Sequence, residues 1–280
     1  MFGKKYLIIA NVILVIILSM SYANAQRGME AGFWLGGAHY FGDLNNLYRL
    51  NEPGLAGGAT ARFNFNHRLS VRGQLNYARV RAHDSKSTNA FDLRRNLSFY
   101  SNILEFAPAV EINFFKYHHG TKEKGFTPYL YGGYSFFYFN PKTKLDSKTY
   151  TLREMGTEGQ LVGQEYYSIA GAWLIGGGIK FDLDYRWSIN VDLGYRATTT
   201  DYLDDVHGVY PDYSELLSAR GNIAVLLADR SVPDESNIKM GTEGYQRGDS
   251  RDKDAYVTCG VNLIYFFGRL KCPPLSYPKE

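Results

Sequence analysis

The stretch Ser168–Thr200, SIAGAWLIGGGIKFDLDYRWSINVDLGYRATTT, decides the architecture. In its first half Ile169, Gly171, Trp173, Ile175, Gly177, Ile179, Phe181 and Leu183 alternate with Ala170, Ala172, Leu174, Gly176, Gly178, Lys180, Asp182 and Asp184. Asp184-Tyr185-Arg186 then reads as a tight turn, and Trp187, Ile189, Val191, Leu193, Tyr195 and Ala197 alternate with Ser188, Asn190, Asp192, Gly194, Arg196 and Thr198. A period of two puts successive side chains on opposite faces of a strand. Both runs exceed the five or six residues usual in a soluble sheet. One face is apolar and aromatic while the other is small or charged, the pattern of a strand with lipid on one side and a polar lumen on the other.

Working outward, the same unit recurs. Strands are predicted from Met29 to near Gly42-Asp43, Gly54 to Asn66, Leu69 to Ala82, Leu97 to Phe115, Thr127 to Asn140, through the opening pair, and from Ala255 to Phe267. Pro108 interrupts the fourth, where a residue unable to donate to the ladder predicts a bulge or distortion. Connections after strands one, three, five and seven are long and polar: Asp43–Pro53, His83–Asn96, residues 141–167 and Thr199–Asp254. Those after two, four and six are shorter, at His67-Arg68, Lys116–Phe126 and Asp184–Arg186. This odd–even rule, with an even strand number, predicts an all-β, eight-stranded antiparallel transmembrane outer-membrane β-barrel with long extracellular loops, short periplasmic turns and both termini periplasmic. The longest loop holds a predicted helix around Tyr213–Ser218 and an apolar run, Ile223–Ala228.

Composition agrees. The chain has 280 residues, 45% of them hydrophobic, and a mean hydropathy of −0.30, which excludes a helical membrane bundle. Tyr (23) and Phe (17) are abundant, and half-apolar rings collect at membrane interfaces. Lys4-Lys5, the apolar run Tyr6–Met20 and Ala23-Asn24-Ala25 form the charged, apolar and small-x-small parts of a secretory signal peptide. Three segments are expected: a cleaved signal at 1–25, a barrel at 26–267 and a periplasmic tail at 268–280. Losing Lys4 and Lys5 and no acid takes the formal charge from +3 to +1. A near-neutral chain gives no ground for a nucleic-acid partner; outer-membrane lipid is the expected surround.

Glu30, Arg62, Arg72, Glu105, Glu111, Lys180, Asp182, Asp192 and Arg196 all fall on the inward face. Eight strands leave room only for side chains, and buried charges must pair, so the lumen is expected to be a plugged salt-bridge network. Chemistry-bearing clusters are sparse. His118-His119 sit in a turn without further ligands. Asp201, Asp204, Asp205 and His207 make an acidic rim cluster, but no calcium-loop spacing accompanies it. A hydrolase would have to use His39, His83 or His207. Arg247-Gly248-Asp249 reads as an ordinary loop tripeptide. No cofactor or metal is expected. Cys259 lies on the lipid face, and an internal disulfide to Cys272 would need the tail to double back. Cys272 is then an unpaired thiol or a link to another chain.

Thr200-Asp201-Tyr202-Leu203-Asp204-Asp205-Val206 with Tyr210 resembles the stretch after the penultimate strand of PorG-type proteins, outer-membrane barrels of the Bacteroidetes type IX secretion system. Tyr129, Tyr138-Phe139-Asn140-Pro141, Ala228-Asp229-Arg230-Ser231, Tyr245-Gln246-Arg247-Gly248 and Lys271-Cys272-Pro273 are similar too, and His207 departs from that family's small residue. Thr258-x-Gly260-x-x-Leu263-x-Tyr265 resembles the terminal-strand signal read by the barrel-assembly machinery. The resemblance implies an interaction protein rather than an enzyme, one that contacts a periplasmic ring of a PorK-like lipoprotein and a PorN-like partner. The contact residues it implies lie on the short-turn rim and tail: His67, Arg68, Lys116, His118, Arg186, Lys271 and Cys272.

Overall fold

The computed structural model describes residues 28–46, 49–117, 119, 125–249 and 252–268. The signal segment, His118, Lys271 and Cys272 lie outside the described residues. Eight long strands build the barrel: β1 (Gly28–Phe41), β2 (Gly54–Asn64), β3 (Leu69–His83), β4 (Ser98–Asn113), β5 (Phe126–Tyr138), β8 (Ile169–Asp182), β9 (Trp187–Thr198) and β10 (Ala255–Phe266). Neighbours pair antiparallel in the order β3-β2-β1-β10-β9-β8-β5-β4, and a β3–β4 ladder closes the cylinder. Closure removes the unpaired edges that lipid could not hydrogen-bond. The protein is therefore an all-β, closed eight-stranded antiparallel barrel of the outer-membrane type.

Alternation sets the faces as the sequence predicts. Phe33, Leu35, Leu104, Trp173, Ile175, Leu193 and Leu263 are exposed on the outside, while Glu30, Arg62, Arg72, Glu105, Glu111, Lys180 and Arg196 are buried inside. The tyrosine-facing glycines make the interior work. A Cβ on Gly176 would lie 2.3 Å from the Tyr131 ring, and one on Gly178 2.8 Å from the Tyr129 hydroxyl. Gly176 and Gly178 thus leave the space these two inward rings occupy.

On one rim the connections are tight. Asn66 Oδ1 accepts the Arg68 and Leu69 amides at 2.8 Å, and Leu183 N donates to Trp187 O at 2.8 Å. On the other rim the four long connections form a cap with its own structure. Residues 141–167 are not a plain polar loop: β6 (Pro141–Leu145) adds to the upper end of β4 and turns into β7 (Lys148–Thr151), followed by a helical turn α2 (Leu152–Met155). The strand period there is masked by Lys142, Lys144 and Lys148, because that hairpin stands above the membrane with a wet face. The loop 83–96 holds a helix, α1 (Ala90–Arg95), capped by Asn89 and ended by Asn96 in the left-handed region. In the longest loop the predicted helix is α3 (Tyr213–Arg220), and the apolar run is a helix too, α4 (Asn222–Ala228), burying Ala224, Leu227 and Ala228.

Pro108 produces no bulge. Its β3 partner is Gly73 in an unbroken register. On the β5 side pairs resume with the same register at Ala109↔Gly133, leaving only a gap at Ala107-Pro108. The missing donor is absorbed by one open rung, where Gly133 lets the Pro108 carbonyl approach closely: a Cβ there would meet it at 2.1 Å.

Candidate functional site

The lumen is filled in two tiers. In the tier toward the tight-turn rim, Glu111 is the hub: its Oε2 lies 3.0 Å from Arg62 Nη2 and 3.4 Å from Arg72 Nη1, and its Oε1 accepts from Lys180. Arg62 Nη1 reaches Glu30 at 2.5 Å, and Arg72 Nη2 reaches Asp192 at 2.6 Å. The Arg72 guanidinium lies 4.1 Å over the Tyr131 ring. In the second tier Arg196 pairs with Glu105 at 3.2 Å. Glu105 also accepts from Asn76 at 2.7 Å and Tyr256 at 3.0 Å, and Trp34 Nε1 donates to Asn76 at 2.8 Å. Between the tiers lies a cavity of only about 10 Å³, lined by Trp34, Gln74, Tyr131, Asp192, Arg196 and Thr258. That holds at most one water. Every charge predicted to face inward is in these tiers or against them, and they leave no continuous aqueous path.

The tight-turn rim is plugged as well. Tyr117 and His119 fold back into the barrel mouth: Tyr117 donates to Asp182, and His119 bridges Glu30 at 3.0 Å and Asp182 at 3.2 Å while stacking on Phe266 at 4.4 Å. His119, read from sequence as a turn residue beside His118, is therefore an interior group, because an inward acid on β1 and another on β8 both face that mouth. Among the residues implied as partner contacts, Arg68 and Lys116 are exposed and His67 is half-buried. Arg186 is also half-buried, donating to Phe266 O at 3.3 Å. These four share the tight-turn rim.

At the opposite rim the acidic cluster does not stay together. Asp201 pairs with His207 at 2.5 Å. Asp205, in the left-handed region at φ 70°, accepts from Thr157 at 2.5 Å and Tyr166 at 2.7 Å; burial lifts its pKa to about 6 against the pull of Arg247. Asp204 turns inward. Its Oδ2 lies 2.6 Å from the Tyr40 hydroxyl, which is 2.7 Å from Asp254 Oδ1. All three groups are buried. One hydroxyl proton cannot serve two carboxylates, so the pair holds a further proton. Burial, then the charge of its acidic neighbours, raises both Asp204 and Asp254 well above the ordinary carboxylate range.

Two buried arginines tie the cap. Arg95 donates to Asp84 at 2.8 Å, to Asp43 O at 2.8 Å and to Arg247 O at 2.8 Å, joining three loops. Arg247 pairs with Glu158 at 3.0 Å and donates to Asp205 O at 2.8 Å. The Arg247-Gly248-Asp249 tripeptide is thus no ordinary loop: its arginine is a keystone, a role that no local pattern signals. Phe139, Tyr166 and Tyr202 stack in succession above the barrel, with centroids 6.1 and 4.4 Å apart. Arg230 donates to Ser98 at 2.9 Å and Thr143 at 3.0 Å. The short tracts at 138–141, 200–206, 228–231 and 245–248, far apart in sequence, belong to this one cap.

Two histidines of the capped rim sit against carboxylates. His83 pairs with Glu52 at 2.9 Å and His207 with Asp201; among the described residues neither hydrogen-bonds a hydroxyl or thiol side chain. Among the described residues no three Asp, Glu, His or Cys side chains are placed to hold a metal ion. A cleft of about 530 Å³ opens on the capped rim between Asp43, Asp92, Arg95 and Lys253. Cys259 is a free thiol on the outer face.

Closed barrel, apolar exterior and sealed charged interior define an outer-membrane β-barrel protein. The chain belongs to the DUF6089 family, a domain of unknown function, whose model matches residues 7–225. No curated protein of known function matches the sequence. Among solved structures it is similar to Neisserial surface protein A (TM-score 0.41, 8% identity, covering 85% of this chain and 96% of that one). It is similar as well to Ail of Yersinia pestis (0.37, 9%, 88% and 100%) and to OprG of Pseudomonas aeruginosa (0.37, 11%, 86% and 96%).

Proposed function

We propose that this protein is a sealed, non-enzymatic outer-membrane anchor in a type IX protein secretion machine, holding the periplasmic PorK/PorN-type ring to the membrane. The observation that carries the anchor reading is the lumen: two tiers of paired charges, a void of one water and a plugged mouth suit a rigid post and not a solute channel. The choice of secretion machine rests on the resemblance to PorG-type barrels, supported by the convergence of the resembling tracts on one structured cap. In this reading the capped rim faces outward and the tight-turn rim faces the periplasm, following the usual asymmetry of such barrels. Arg68, Lys116 and Arg186, with His67, His118, Lys271 and Cys272, present the ring-facing surface.

The test is affinity purification of the tagged full chain from detergent-solubilised outer membranes, analysed on reducing and non-reducing gels. Co-purification of a lipoprotein ring, weakened when Arg68, Lys116 and Arg186 are changed together to Gln or when the chain is truncated after Gly268, supports the anchor. A clean monomer without ring components overturns the secretion role and leaves a general structural barrel. A shift of the complex on non-reducing gels, lost in Cys272→Ser, separates the intermolecular disulfide from the free thiol.

A further inference from the structure

The outer surface of the barrel carries almost no charge. Among the outward positions of its eight strands there is no Asp, Glu or Lys, and the arginines are Arg79 and Arg81. An arginine at the middle of a lipid face costs roughly 2–4 kcal/mol, falling to about 0–1 near the interface, so two on one strand need a place and a partner.

The register supplies the place. Along the outside of β3 the residues run Val71, Gly73, Leu75, Tyr77, Arg79, Arg81. Leu75 lies opposite Phe106, itself opposite Phe136; Tyr77 lies opposite Leu104, itself opposite Tyr138. Above that apolar and aromatic band comes Arg79 opposite Asn102, and then Arg81 opposite Tyr100, itself opposite Lys142 of β6. Lys144, two residues on, shares the face of Lys142. Directly opposite residues share a face, so four cations, two on β3 and two on β6, flank β4 immediately above the girdle. At about 4.8 Å between strands and 3.4 Å per residue the patch measures roughly 10 by 14 Å.

The cations are available. Arg79 and Arg81 are exposed. Arg79 lies 4.2 Å over the Tyr100 ring, which holds the guanidinium plane and leaves its edge open. Arg81 spends one donor on Pro53 O at 3.0 Å. Among the described residues no carboxylate forms an ion pair with any of the four, and nearby Glu52 is committed to His83.

We propose that Arg79, Arg81, Lys142 and Lys144 form a binding surface for the phosphate groups of an outer-leaflet glycolipid. The patch is continuous with the lipid-facing belt and one step above its aromatic girdle, the height of headgroups. Planar guanidinium forks match phosphate oxygens in pairs, with the lysines as adjacent point charges. The proposal rests on the orientation given above and is independent of the secretion role.

The test uses the full chain in dodecyl maltoside, titrated with diphosphoryl lipid A or its dephosphorylated form, with bound lipid counted by native mass spectrometry. Wild type should retain the diphosphoryl form preferentially. Arg79→Gln, Arg81→Gln, Lys142→Gln and Lys144→Gln combined should weaken retention at least about tenfold, while Arg79→Lys with Arg81→Lys keeps most of it. Gln at Arg68, Lys116 and Arg186 on the opposite rim should change nothing. If the fourfold variant does not fold, the Arg pair and the Lys pair are read separately by the same criteria. Equal retention of both lipids by wild type, or wild-type retention by the Gln variants, overturns the proposal. Orientation is read apart from this by labelling Asp146→Cys, in a chain also carrying Cys259→Ser and Cys272→Ser, with an impermeant maleimide. Labelling of intact cells supports an outer-leaflet ligand, and labelling only after lysis overturns it.

Discussion

Replacing Glu111 by Gln removes the hub of the lumen while keeping its shape. In the tier around it Arg62, Arg72 and Lys180 are balanced by Glu30, Glu111 and Asp192. The substitution leaves one positive charge in excess, and Lys180 loses the carboxylate it is bonded to. At contacts of 3.0–3.4 Å each pair is worth about 5 kcal/mol at an effective dielectric near 20, but the guanidiniums keep Glu30 and Asp192 and part of the loss is recovered. Removing one partner of a buried pair costs about 3–5 kcal/mol, and we expect Glu111→Gln to fall in that range. Lys180→Met should cost less, because Glu111 retains two arginines. The double variant, which restores neutrality, should be more stable than Glu111→Gln by about 1–3 kcal/mol. The assay is urea unfolding of the full chain in phospholipid vesicles, followed by Trp fluorescence and by the mobility of the unheated barrel on gels. A loss below about 1 kcal/mol for Glu111→Gln, or a double variant no better than the single, would refute the hub.

The acid pair at the cap should make it loosen with rising pH. Asp204 and Asp254 hold protons in the folded state above the ordinary carboxylate range, and burial lifts Asp43 to about 7. Their contribution is complete below the unfolded value near 4 and is lost as pH rises through the folded values. Protection against hydrogen exchange in residues 199–254, after correction for the base-catalysed intrinsic rate, should fall as pH rises through about 7. Asp254→Asn, whose amide donates to Tyr40 where the acid proton did, should flatten that profile; an unchanged slope counts against the shared proton. Arg247→Ala should free the cap by removing the ion pair to Glu158 and the bond to the Asp205 carbonyl, giving new proteolytic cuts within 199–254 while the membrane-embedded core survives; resistance equal to wild type would deny its keystone role. In planar bilayers the wild-type barrel should show no steady conductance, and regular open steps would disprove the seal.

The barrel was legible because lipid on one side and a packed lumen on the other impose a strict period of two over 14 residues in β8. That same period assigned each inward charge, since Lys180, Asp192 and Arg196 differ in face from Trp173, Val191 and Tyr195 by parity alone. It failed where the chain leaves the sheet. His119 has no periodic neighbours, and only the acids of β1 and β8 meeting at the barrel mouth reveal that it folds inward. Arg247 sits in a polar run whose neighbours give no sign that Glu158, 89 residues earlier, faces it. Pro108 failed for the opposite reason. A general rule predicted a bulge or distortion, but the ladder keeps one register on both sides of the proline and only loses pairing beside it, because a one-residue slip would turn the later inward Glu111 of β4 into the lipid.

The two rims then divide the labour by chemistry. The tight-turn rim has short turns with exposed Arg68 and Lys116 and a mouth stopped by Tyr117 and His119, so a partner there meets a fixed surface. The capped rim is held by interior devices, the Arg95 and Arg247 ties and the proton shared through Tyr40. The cations on the outside of β3 and β6 stand apart from these devices, and among the described residues no carboxylate pairs with them. Because neither end opens into the other through the filled lumen, any signal from the capped side to the tight-turn side must travel through the rigid wall of strands. That favours a post over a gate: a barrel whose stability, more than its motion, is what it offers to whatever binds either rim.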